Sequence, residues 1–371
     1  IHSELSAPDT RGDRYMNNIK KIQEKLIEKN LDAVLITDEK NQRYATGFPF
    51  TDGAVLVARS DAWLLTDSRY IEAATNTSAC CCRVQMFDRE HSRLSLLQAA
   101  LKEAGVQRLG AEEQKLSHAE YLDYEKSLEM ELLPAQAIFG ELRASKSEEE
   151  IVYMREAQAI SEKALEEVLH IIKPGTTERQ VAAELVYHML LNGSEGNSFD
   201  PIVVTGKKTS MPHGVPGDEI IREGDFVTMD FGCLKNGYCS DMTRTVAIGH
   251  ATDEMKNIYN VVLEAQLAGI AAARAGIPGC EIDAAAREVI TKAGFGQYFG
   301  HGFGHSLGLD IHELPGANPS GKAIMPLNCV VSAEPGIYIP GKFGVRIEDV
   351  MILHENGSEV ITKAPKQLII L

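Results

Sequence analysis

A short segment near residue 300 combines three histidines with several glycines. It reads His301-Gly-Phe-Gly-His305, and His312 follows. Two histidines four residues apart would share one face of a helix, as in one class of zinc protease. Gly302 and Gly304 disfavour a helix, because each glycine costs about 1 kcal/mol relative to alanine in a helix interior. The segment instead predicts a loop or irregular strand with one histidine as a metal ligand and the others facing a substrate. The alternative interpretation is that the three histidines have no shared function and lie beside a flexible loop.

Two aspartates lie on a predicted β-hairpin. Asn236-Gly237 stands between apolar runs, which is the strongest short-range signal for a two-residue turn. The turn places Asp230 opposite Thr243, and it places Asp241 opposite Gly232. Since side chains alternate between faces, the two carboxylates share a face at about 7 to 8 Å between backbones and can reach one point. A register slip of one residue would separate them.

The second part of the chain repeats itself at an offset of 104 residues, seen between Pro174-Gly175 and Pro278-Gly279. Each copy has a long helix, the Pro-Gly pair, a second helix and strands. The same offset carries Asp230 onto Glu334, and both follow apolar residues of a predicted strand. The repeat therefore predicts two halves related by a pseudo-twofold axis, with both carboxylates in the crevice between the halves.

Glu348 supplies a further carboxylate. After a Pro340-Gly341 turn, Arg346 and Glu348 share one face of a strand by its period of two. Four carboxylates converging with His305 would repel one another, and two divalent cations would neutralise that charge. The oxygen-rich set favours Mn²⁺, with Co²⁺ or Zn²⁺ as alternatives. Two cations about 3.5 to 4 Å apart can share a bridging hydroxide and polarise a carbonyl, so the predicted chemistry is amide hydrolysis.

The length of 371 residues predicts two or three domains. Residues 1–16 are interpreted as a leader, either vector-derived or a loose arm, and are excluded from the fold prediction. The pattern of residues 17–143 predicts an α/β domain, and no set of candidate catalytic residues is recognisable in it. Its signals are a helical stripe of Ile19, Ile22 and Leu26 and buried strands at 33–36 and 54–58.

Residues 144–371 form the predicted catalytic domain. It opens with a capping box of Ser147 and Glu150, which starts a helix expected to run to Lys173. The overall fold class is α/β in the broad sense that includes α+β.

The composition indicates an ordinary globular protein, with 44% hydrophobic and 24% charged residues. A net charge of -16 disfavours nucleic acid and anionic membranes as partners. No apolar run reaches the length of a membrane helix and no signal peptide is recognisable, so we expect a cytoplasmic protein. Seven cysteines, three of them adjacent at Cys80-Cys81-Cys82, indicate reduced thiols rather than a disulfide framework. A cysteine metal site is the less favoured alternative for that run.

Over residues 17–371 the chain resembles the aminopeptidase P and prolidase family of metallopeptidases. The resemblance rests on Pro212-His213-Gly214, Asp230 with Asp241, His301 to His305 with His312-Glu313, Glu334-Pro-Gly-Ile-Tyr338 and Arg346-Ile-Glu348-Asp349. It implies a creatinase-like N-terminal α/β domain and a C-terminal catalytic domain with the pita-bread fold.

The resemblance also implies a role for each site residue. Asp230 would bind one metal, His305 and Glu334 the other, and Asp241 and Glu348 would bridge both. Glu334 would also handle the proton of the attacking hydroxide.

Four further residues would act on the substrate side. His213 and His312 would stabilise the tetrahedral intermediate or assist the leaving nitrogen. His301 would border the proline pocket. Arg346 would lie near the carboxyl end of the substrate or orient Glu348.

The family releases an N-terminal residue from a following proline, so the implied partners are short proline-containing peptides. We favour an Xaa-Pro aminopeptidase over a prolidase restricted to dipeptides. The N-terminal domain would limit substrate length and support a homodimer. A non-catalytic peptide-binding module of the same fold is a further alternative, but it would be expected to have substituted ligands. Methionine aminopeptidases usually lack the N-terminal domain, and creatinase-like relatives do not keep the metal ligands.

Overall fold

The structure is a computed structural model that describes residues 17–371. The predicted leader, residues 1–16, lies outside the described residues. Two compact units are present, one ending at Leu142 and the other comprising Arg143–Leu371.

The first unit is a mixed sheet with helices. Its described elements are α1 (Ile19–Glu28), β1 (Ala33–Ile36), α2 (Glu39–Thr46), β2 (Gly53–Ala58), β3 (Ala62–Thr66), α3 (Ile71–Ser78), β4 (Arg83–Met86), α4 (Arg93–Glu103), β5 (Leu109–Ala111), α5 (His118–Leu128), β6 (Leu132–Pro134) and α6 (Gln136–Ala144), whose last two residues belong to the second unit. Within residues 17–142 the strands form one six-stranded sheet in the order β4-β3-β2-β1-β5-β6. The predicted stripe of Ile19, Ile22 and Leu26 is buried on α1, and the two predicted strands are confirmed as β1 and β2.

The second unit contains the candidate site. Its elements are α7 (Glu148–Leu169), α8 (Glu178–Leu191), β7 (Gly196–Asn197), β8 (Ile202–Thr205), β9 (Phe226–Phe231), β10 (Cys233–Lys235), β11 (Tyr238–Cys239), β12 (Met242–Ala247), α9 (Asp253–Ala272), α10 (Gly279–Lys292), β13 (Gly304–Ser306), β14 (Glu313–Ala317), β15 (Val330–Ala333), β16 (Gly336–Ile339), β17 (Phe343–Arg346), β18 (Asp349–His354) and β19 (Gly357–Val360). Short 3-10 helices span Gly206–Ser210 and Gly296–Tyr298.

Helix α7 begins as predicted but ends early. The side chain of Ser147 accepts from the backbone N–H of Glu150, and the Glu150 side chain accepts from the backbone N–H of Ser147, which completes the capping box. The helix ends at Leu169 rather than at Lys173, because the next amides turn more tightly. His170 donates to the carbonyl of Glu167, three residues back, which is the bonding of a 3-10 turn.

The predicted repeat is confirmed by the order of elements. Helices α7 and α8 precede β8, β9 and β12, and helices α9 and α10 precede β13, β15 and β18. Each half has its own buried core. In the first, Leu165 of α7 and Leu185 of α8 pack with Met229 of β9. In the second, Val262 of α9 and Ile282 of α10 pack with Val331 of β15.

The two halves meet along β12. The backbone amide of Glu348 donates to the carbonyl of Thr243 at 3.1 Å, and the hydroxyl of Thr245 donates to the carbonyl of Arg346 at 2.9 Å. The guanidinium of Arg244 also donates to the carbonyl of Glu348 at 2.6 Å. These contacts place residues 346–349 of the second half beside the strand that follows Asp241. Among residues 17–371, no helix combines the length and apolarity needed to span a membrane.

Candidate active site

The predicted hairpin register is confirmed. Lys235 pairs with Tyr238 across the turn, and Asp230 pairs with Thr243. Asn236 and Gly237 have φ of 49° and 77°, the left-handed backbone that this two-residue turn requires. Asp230 and Asp241 are therefore on one face of the β9 and β12 ladder.

Gly232 lies on that face, where other parts of the chain approach its backbone closely. A Cβ at this position would lie 2.0 Å from the carbonyl oxygen of Ser240 and 2.4 Å from the hydroxyl oxygen of Ser198. Glycine is needed here because two backbone segments approach each other closely.

The second half contributes the other predicted ligands. His305 lies on β13, Glu334 directly follows β15, and Glu348 lies between β17 and β18. The imidazole Nε2 of His305 is 3.5 Å from a carboxylate oxygen of Asp241 and 3.4 Å from one of Glu334. Ligand atoms of Asp241, His305 and Glu348 all lie within 4.8 Å of one another. The structure thus brings residues of both halves to one buried point.

The residues fit a cationic occupant. Oδ1 of Asp230 and Oε1 of Glu348 are buried, and neither has a hydrogen-bond partner among residues 17–371. A buried polar atom left without a partner costs about 1 to 3 kcal/mol, and more if it is charged. Metal coordination would satisfy both oxygens. A set of carboxylates with one imidazole is the donor chemistry of hard and borderline divalent ions.

Burial and like charge also act on the acids. Burial raises the pKa of Asp241 well above its usual range, and the charges of Asp230 and Glu334 raise it further. Burial and then the charge of Asp241 do the same to the pKa of Glu348. Burial raises the pKa of Glu334 as well. Carboxylates in this arrangement need a counter-charge in order to be ionised together.

His305 is in the form that a ligand requires. Burial lowers its pKa below the usual value, so the ring is neutral near neutral pH. Its Nδ1 lies 3.1 Å from the carbonyl oxygen of Ser306, which places the proton on Nδ1 and leaves the Nε2 lone pair facing Asp241 and Glu334.

A buried network orients the acids. The Arg346 guanidinium donates to Oδ2 of Asp230 at 2.7 Å and to the hydroxyl of Thr243 at 3.0 Å. That hydroxyl in turn donates to Oε2 of Glu348 at 2.7 Å. Arg346 therefore orients Asp230 directly, whereas it reaches Glu348 only through Thr243. The family resemblance implied that Arg346 lies near the carboxyl end of the substrate or orients Glu348, and it did not imply the contact with Asp230.

A similar contact orients Glu334. The hydroxyl of Ser332 donates to a carboxylate oxygen of Glu334 at 3.1 Å, and it accepts the backbone amide of His305 at 3.0 Å. The two predicted ligands of one metal are thus held by one serine.

The acids line a cavity of about 510 Å³ together with all the predicted substrate-side residues. Its lining residues are Phe199, Asp200, Ile202, Pro212, His213, Asp230, Asp241, His301, Gly302, Gly304, His305, Ile311, His312, Asn318, Glu334, Arg346 and Glu348. His312 packs edge-on against His305, with ring centroids 4.4 Å apart.

A second cavity of about 700 Å³ is lined in part by the same residues. Pro212, His213 and His301 border both cavities, and Tyr298 and Tyr338 border only the second. The two spaces therefore adjoin at these shared side chains.

Tyr338 and His301 form a fixed pair between the cavities. Arg346 donates to the Tyr338 hydroxyl at 2.8 Å, so that hydroxyl donates to Nε2 of His301 at 2.9 Å. Nδ1 of His301 donates to the carbonyl of Gly302 at 2.8 Å. Burial lowers the pKa of His301 and raises the pKa of Tyr338 to about 12. His301 is therefore neutral, with both nitrogens engaged, and presents its ring to the cleft.

Tyr338, Thr243 and Ser332 are residues of the site for which the sequence predicts no role. A signal existed for Thr243, since the hairpin register places it opposite Asp230. Ser332 likewise stands two residues before Glu334, so the strand period of two places both side chains on one face. The contacts of Ser332 with His305 and of Tyr338 with His301 join distant segments, and no local pattern predicts them.

Comparisons with known proteins identify the family of the chain. Residues 152–355 match the family profile described as metallopeptidase family M24, and residues 18–145 match the creatinase/prolidase N-terminal domain. An uncharacterized peptidase of Bacillus subtilis, YqhT, is 42% identical over 345 residues, covering 92% of this chain and 96% of the relative.

Two solved structures share the fold along nearly the whole chain. One is an Xaa-Pro dipeptidase from Bacillus anthracis, with 41% identity, a TM-score of 0.92 and coverage of 95% of this chain and 99% of that one. The other is an X-Pro aminopeptidase from Thermotoga maritima, with 33% identity, a TM-score of 0.89 and coverage of 94% and 99%. The chain therefore belongs to metallopeptidase family M24, with a creatinase/prolidase N-terminal domain before its catalytic domain.

Proposed function

We propose that this chain hydrolyses the peptide bond between an N-terminal residue and a following proline, using two divalent metal ions. The residues that would hold the ions are Asp230, Asp241, His305, Glu334 and Glu348. The observation that carries the proposal is the convergence of buried carboxylates from both halves on His305, with two carboxylate oxygens that have no hydrogen-bond partner within residues 17–371. The Xaa-Pro specificity is supported by the names of the similar proteins.

Asp241 and Glu348 are proposed to bridge both ions, because they are the most buried acids of the cluster and come from different halves. Asp230 would serve one ion, and His305 with Glu334 the other. Mn²⁺ is the proposed metal, since the donors are mostly oxygen, and Co²⁺ and Zn²⁺ are the alternatives.

When bound, the ions would polarise the scissile carbonyl and lower the pKa of the attacking water. Glu334 accepts a proton from that water as its oxygen attacks the carbonyl carbon. His213 and His312 border the same cavity. They donate hydrogen bonds to the tetrahedral intermediate or pass a proton to the proline nitrogen as the carbon–nitrogen bond breaks.

Proline sets a particular demand on such a site. Its nitrogen has no amide hydrogen, and its ring fixes the backbone. A pocket for proline therefore needs apolar and aromatic surface rather than a backbone hydrogen-bond acceptor. His301 and Tyr338 are hydrogen-bonded to each other, and their rings provide such surface between the two cavities.

The second cavity favours an aminopeptidase over an enzyme restricted to dipeptides. It adjoins the first at Pro212, His213 and His301, and it offers space for the residue that follows proline. The proposal is thus an Xaa-Pro aminopeptidase, with a prolidase as the second candidate. A homodimer and a cytoplasmic location are also proposed, on the sequence alone.

The test compares Xaa-Pro dipeptides with Xaa-Pro-Xaa tripeptides on the metal-reconstituted chain. We expect cleavage of both after the N-terminal residue, with the higher kcat/KM for tripeptides, and no cleavage after chelation. Cleavage of dipeptides alone would replace the aminopeptidase with the prolidase. No cleavage of any Xaa-Pro peptide would refute the enzymatic proposal.

Gly300 offers a variant that separates the two candidates. A Cβ there would meet no heavy atom within 4 Å, so Gly300→Phe can project into the second cavity without a clash at its own backbone. We expect kcat/KM for tripeptides to fall at least about tenfold while dipeptide cleavage is retained. Gly140→Phe, at an equally open glycine of the first unit, is the matched control.

A further inference from the structure

Four charged side chains form a buried cluster against the loop that carries His312, and the proposed reaction uses none of them. They are Arg143, Lys146, Asp310 and Glu313. Arg143 and Lys146 are only 7% and 3% exposed, which is unusual for these residue types unless they are paired. The four formal charges cancel.

The pairing is centred on Glu313. Arg143 donates to Oε1 of Glu313 and, at 2.6 Å, to Oδ2 of Asp310. Lys146 donates to Oε2 of Glu313 at 3.0 Å. The backbone amide of Asp310 also donates to Oε1 of Glu313, at 3.1 Å. Burial alone would raise the pKa of Glu313, but the charges of Lys146 and Arg143 hold it below its usual value.

This cluster occupies the inside of the loop. Ser306 and Glu313 face each other where β13 pairs with β14, so they close the segment 307–312. A Cβ on Gly308 would lie 2.9 Å from both carboxylate oxygens of Glu313, which shows that the loop backbone wraps against that carboxylate. The loop is also tied to the first half, because the amide of Cys239 donates to the carbonyl of Gly308 at 2.7 Å.

The segment that carries Lys146 is itself held in place. The backbone amide of Lys146 donates to the carbonyl of Asn328 at 3.0 Å, and the hydroxyl of Ser145 donates to the carbonyl of Leu327 at 2.8 Å. Lys146 therefore approaches the loop from an anchored segment. On the other side of the loop, His312 packs against His305 with ring centroids 4.4 Å apart.

We infer that Arg143 and Lys146 are positioning residues that act through Asp310 and Glu313 to hold the loop 307–312, so that His312 faces the cleft beside His305. The inference rests on the proposed function, in which His312 acts on the substrate. Its physical basis is the cost of breaking one member of a buried charge cluster, which leaves the remaining charges uncompensated. A loop that relaxes by about 1 Å can reduce catalysis about 100-fold.

Lys146→Met tests the inference, because methionine replaces the stem but removes the charge. We expect kcat for an Xaa-Pro peptide to fall about 10- to 100-fold, with an unchanged metal content and a smaller change in KM. Lys146→Arg should restore most of kcat. Lys292→Met is the matched control, since it removes a lysine paired with a glutamate at 2.6 Å on the exposed face of α10.

A double-mutant cycle separates positioning of His312 from general damage. In a His312→Ala background, Lys146→Met should reduce kcat/KM little further, because the residue it positions is already gone. Additive losses would overturn the inference. A fall in metal content that parallels the loss of kcat would also overturn it, because the cluster would then support the metal ligands instead.

A spectroscopic readout is independent of activity. In the Zn²⁺-loaded chain, the ring resonance of His312, assigned through His312→Gln, should shift or broaden in Lys146→Met and not in Lys292→Met. An unchanged resonance would overturn the inference even if the chain cleaved no peptide. If Lys146→Met does not fold, Asp310→Asn weakens the same loop from its more exposed side, where the Asp310 side chain is 25% exposed, and the same outcomes apply.

Discussion

At the scale of single residues, the site depends on carboxylates that face one another in the protein interior. Asp241 and Glu348 are nearly inaccessible to solvent and come from different halves of the second unit. Glu348 is oriented by Thr243, which donates to only one oxygen of its carboxylate, and the other oxygen has no partner among residues 17–371. Asp241 has a carboxylate oxygen 3.5 Å from Nε2 of His305.

Asp241→Asn and Glu348→Gln test the bridging assignment. Each keeps the size of the side chain but removes the charge and one oxygen donor. If both residues bridge, each variant should lose both metal ions together, with affinity lowered at least about tenfold. The number of metal ions retained per chain after dialysis is the measurement. Asp218→Asn, at a highly exposed aspartate, should retain full content; full stoichiometry in either test variant would contradict bridging.

At the scale of elements, the β9 to β12 hairpin sets the separation of Asp230 and Asp241. Its turn is stabilised from outside, because the carboxylate of Glu195 accepts the backbone amides of Asn236 and Gly237, both at 2.9 Å. The turn residues and the strand alternation are local signals. That is why the register of this hairpin could be predicted from the sequence.

Gly237→Val should destabilise the hairpin. Its φ of 77° is a left-handed conformation, which costs a residue other than glycine about 1 to 2 kcal/mol and a β-branched residue more. We expect a Tm lower by a few degrees and weaker metal binding, because the turn keeps the two aspartates in register. Thermal unfolding and metal titration provide the measurements. Gly237→Asn should behave nearly as wild type, and an equal loss in both variants would argue against backbone strain as the cause.

At the scale of the whole molecule, the site exists only where the two halves of the repeat meet. Asp230 and Asp241 come from the first half, and His305, Glu334 and Glu348 from the second. Bringing these acids together without metal is unfavourable, because burial and mutual repulsion raise their pKa values. The stability of the metal-free chain should therefore depend on pH.

The sign follows from proton binding. Asp241, Glu334 and Glu348 bind protons more tightly when folded, so their contribution to the free energy of unfolding is greatest at low pH and is lost as pH rises through their raised pKa values. We expect the Tm of the chelated chain to rise as pH falls through the raised pKa values of these three acids toward the usual range of carboxyl groups. The metal-loaded chain should show a flatter dependence.

The control is the Asp241→Asn, Glu348→Gln double variant. His305 contributes with the opposite sign, because burial lowers its pKa, and it remains present in both proteins. The double variant should therefore lose most of the stabilisation seen on acidification. The same slope in both proteins would show that other groups cause the effect.

The sequence by itself determined the features that depend on neighbouring residues. These are strands β1 and β2 of the first unit, the capping box of α7, the hairpin register, the order of the repeat and the motifs of the family. Their physical basis is the period of helices and strands and the backbone preferences of turn residues.

Only the tertiary structure decided which distant side chains touch. Arg346 contacts Asp230 from 116 positions away, and Arg143 contacts Glu313 from 170. The second cavity and the approach of His312 to His305 likewise depend on how loops pack. Such contacts follow from close packing of whole elements, in which shifts of an ångström exchange one hydrogen-bond partner for another, and no local period in the sequence encodes them.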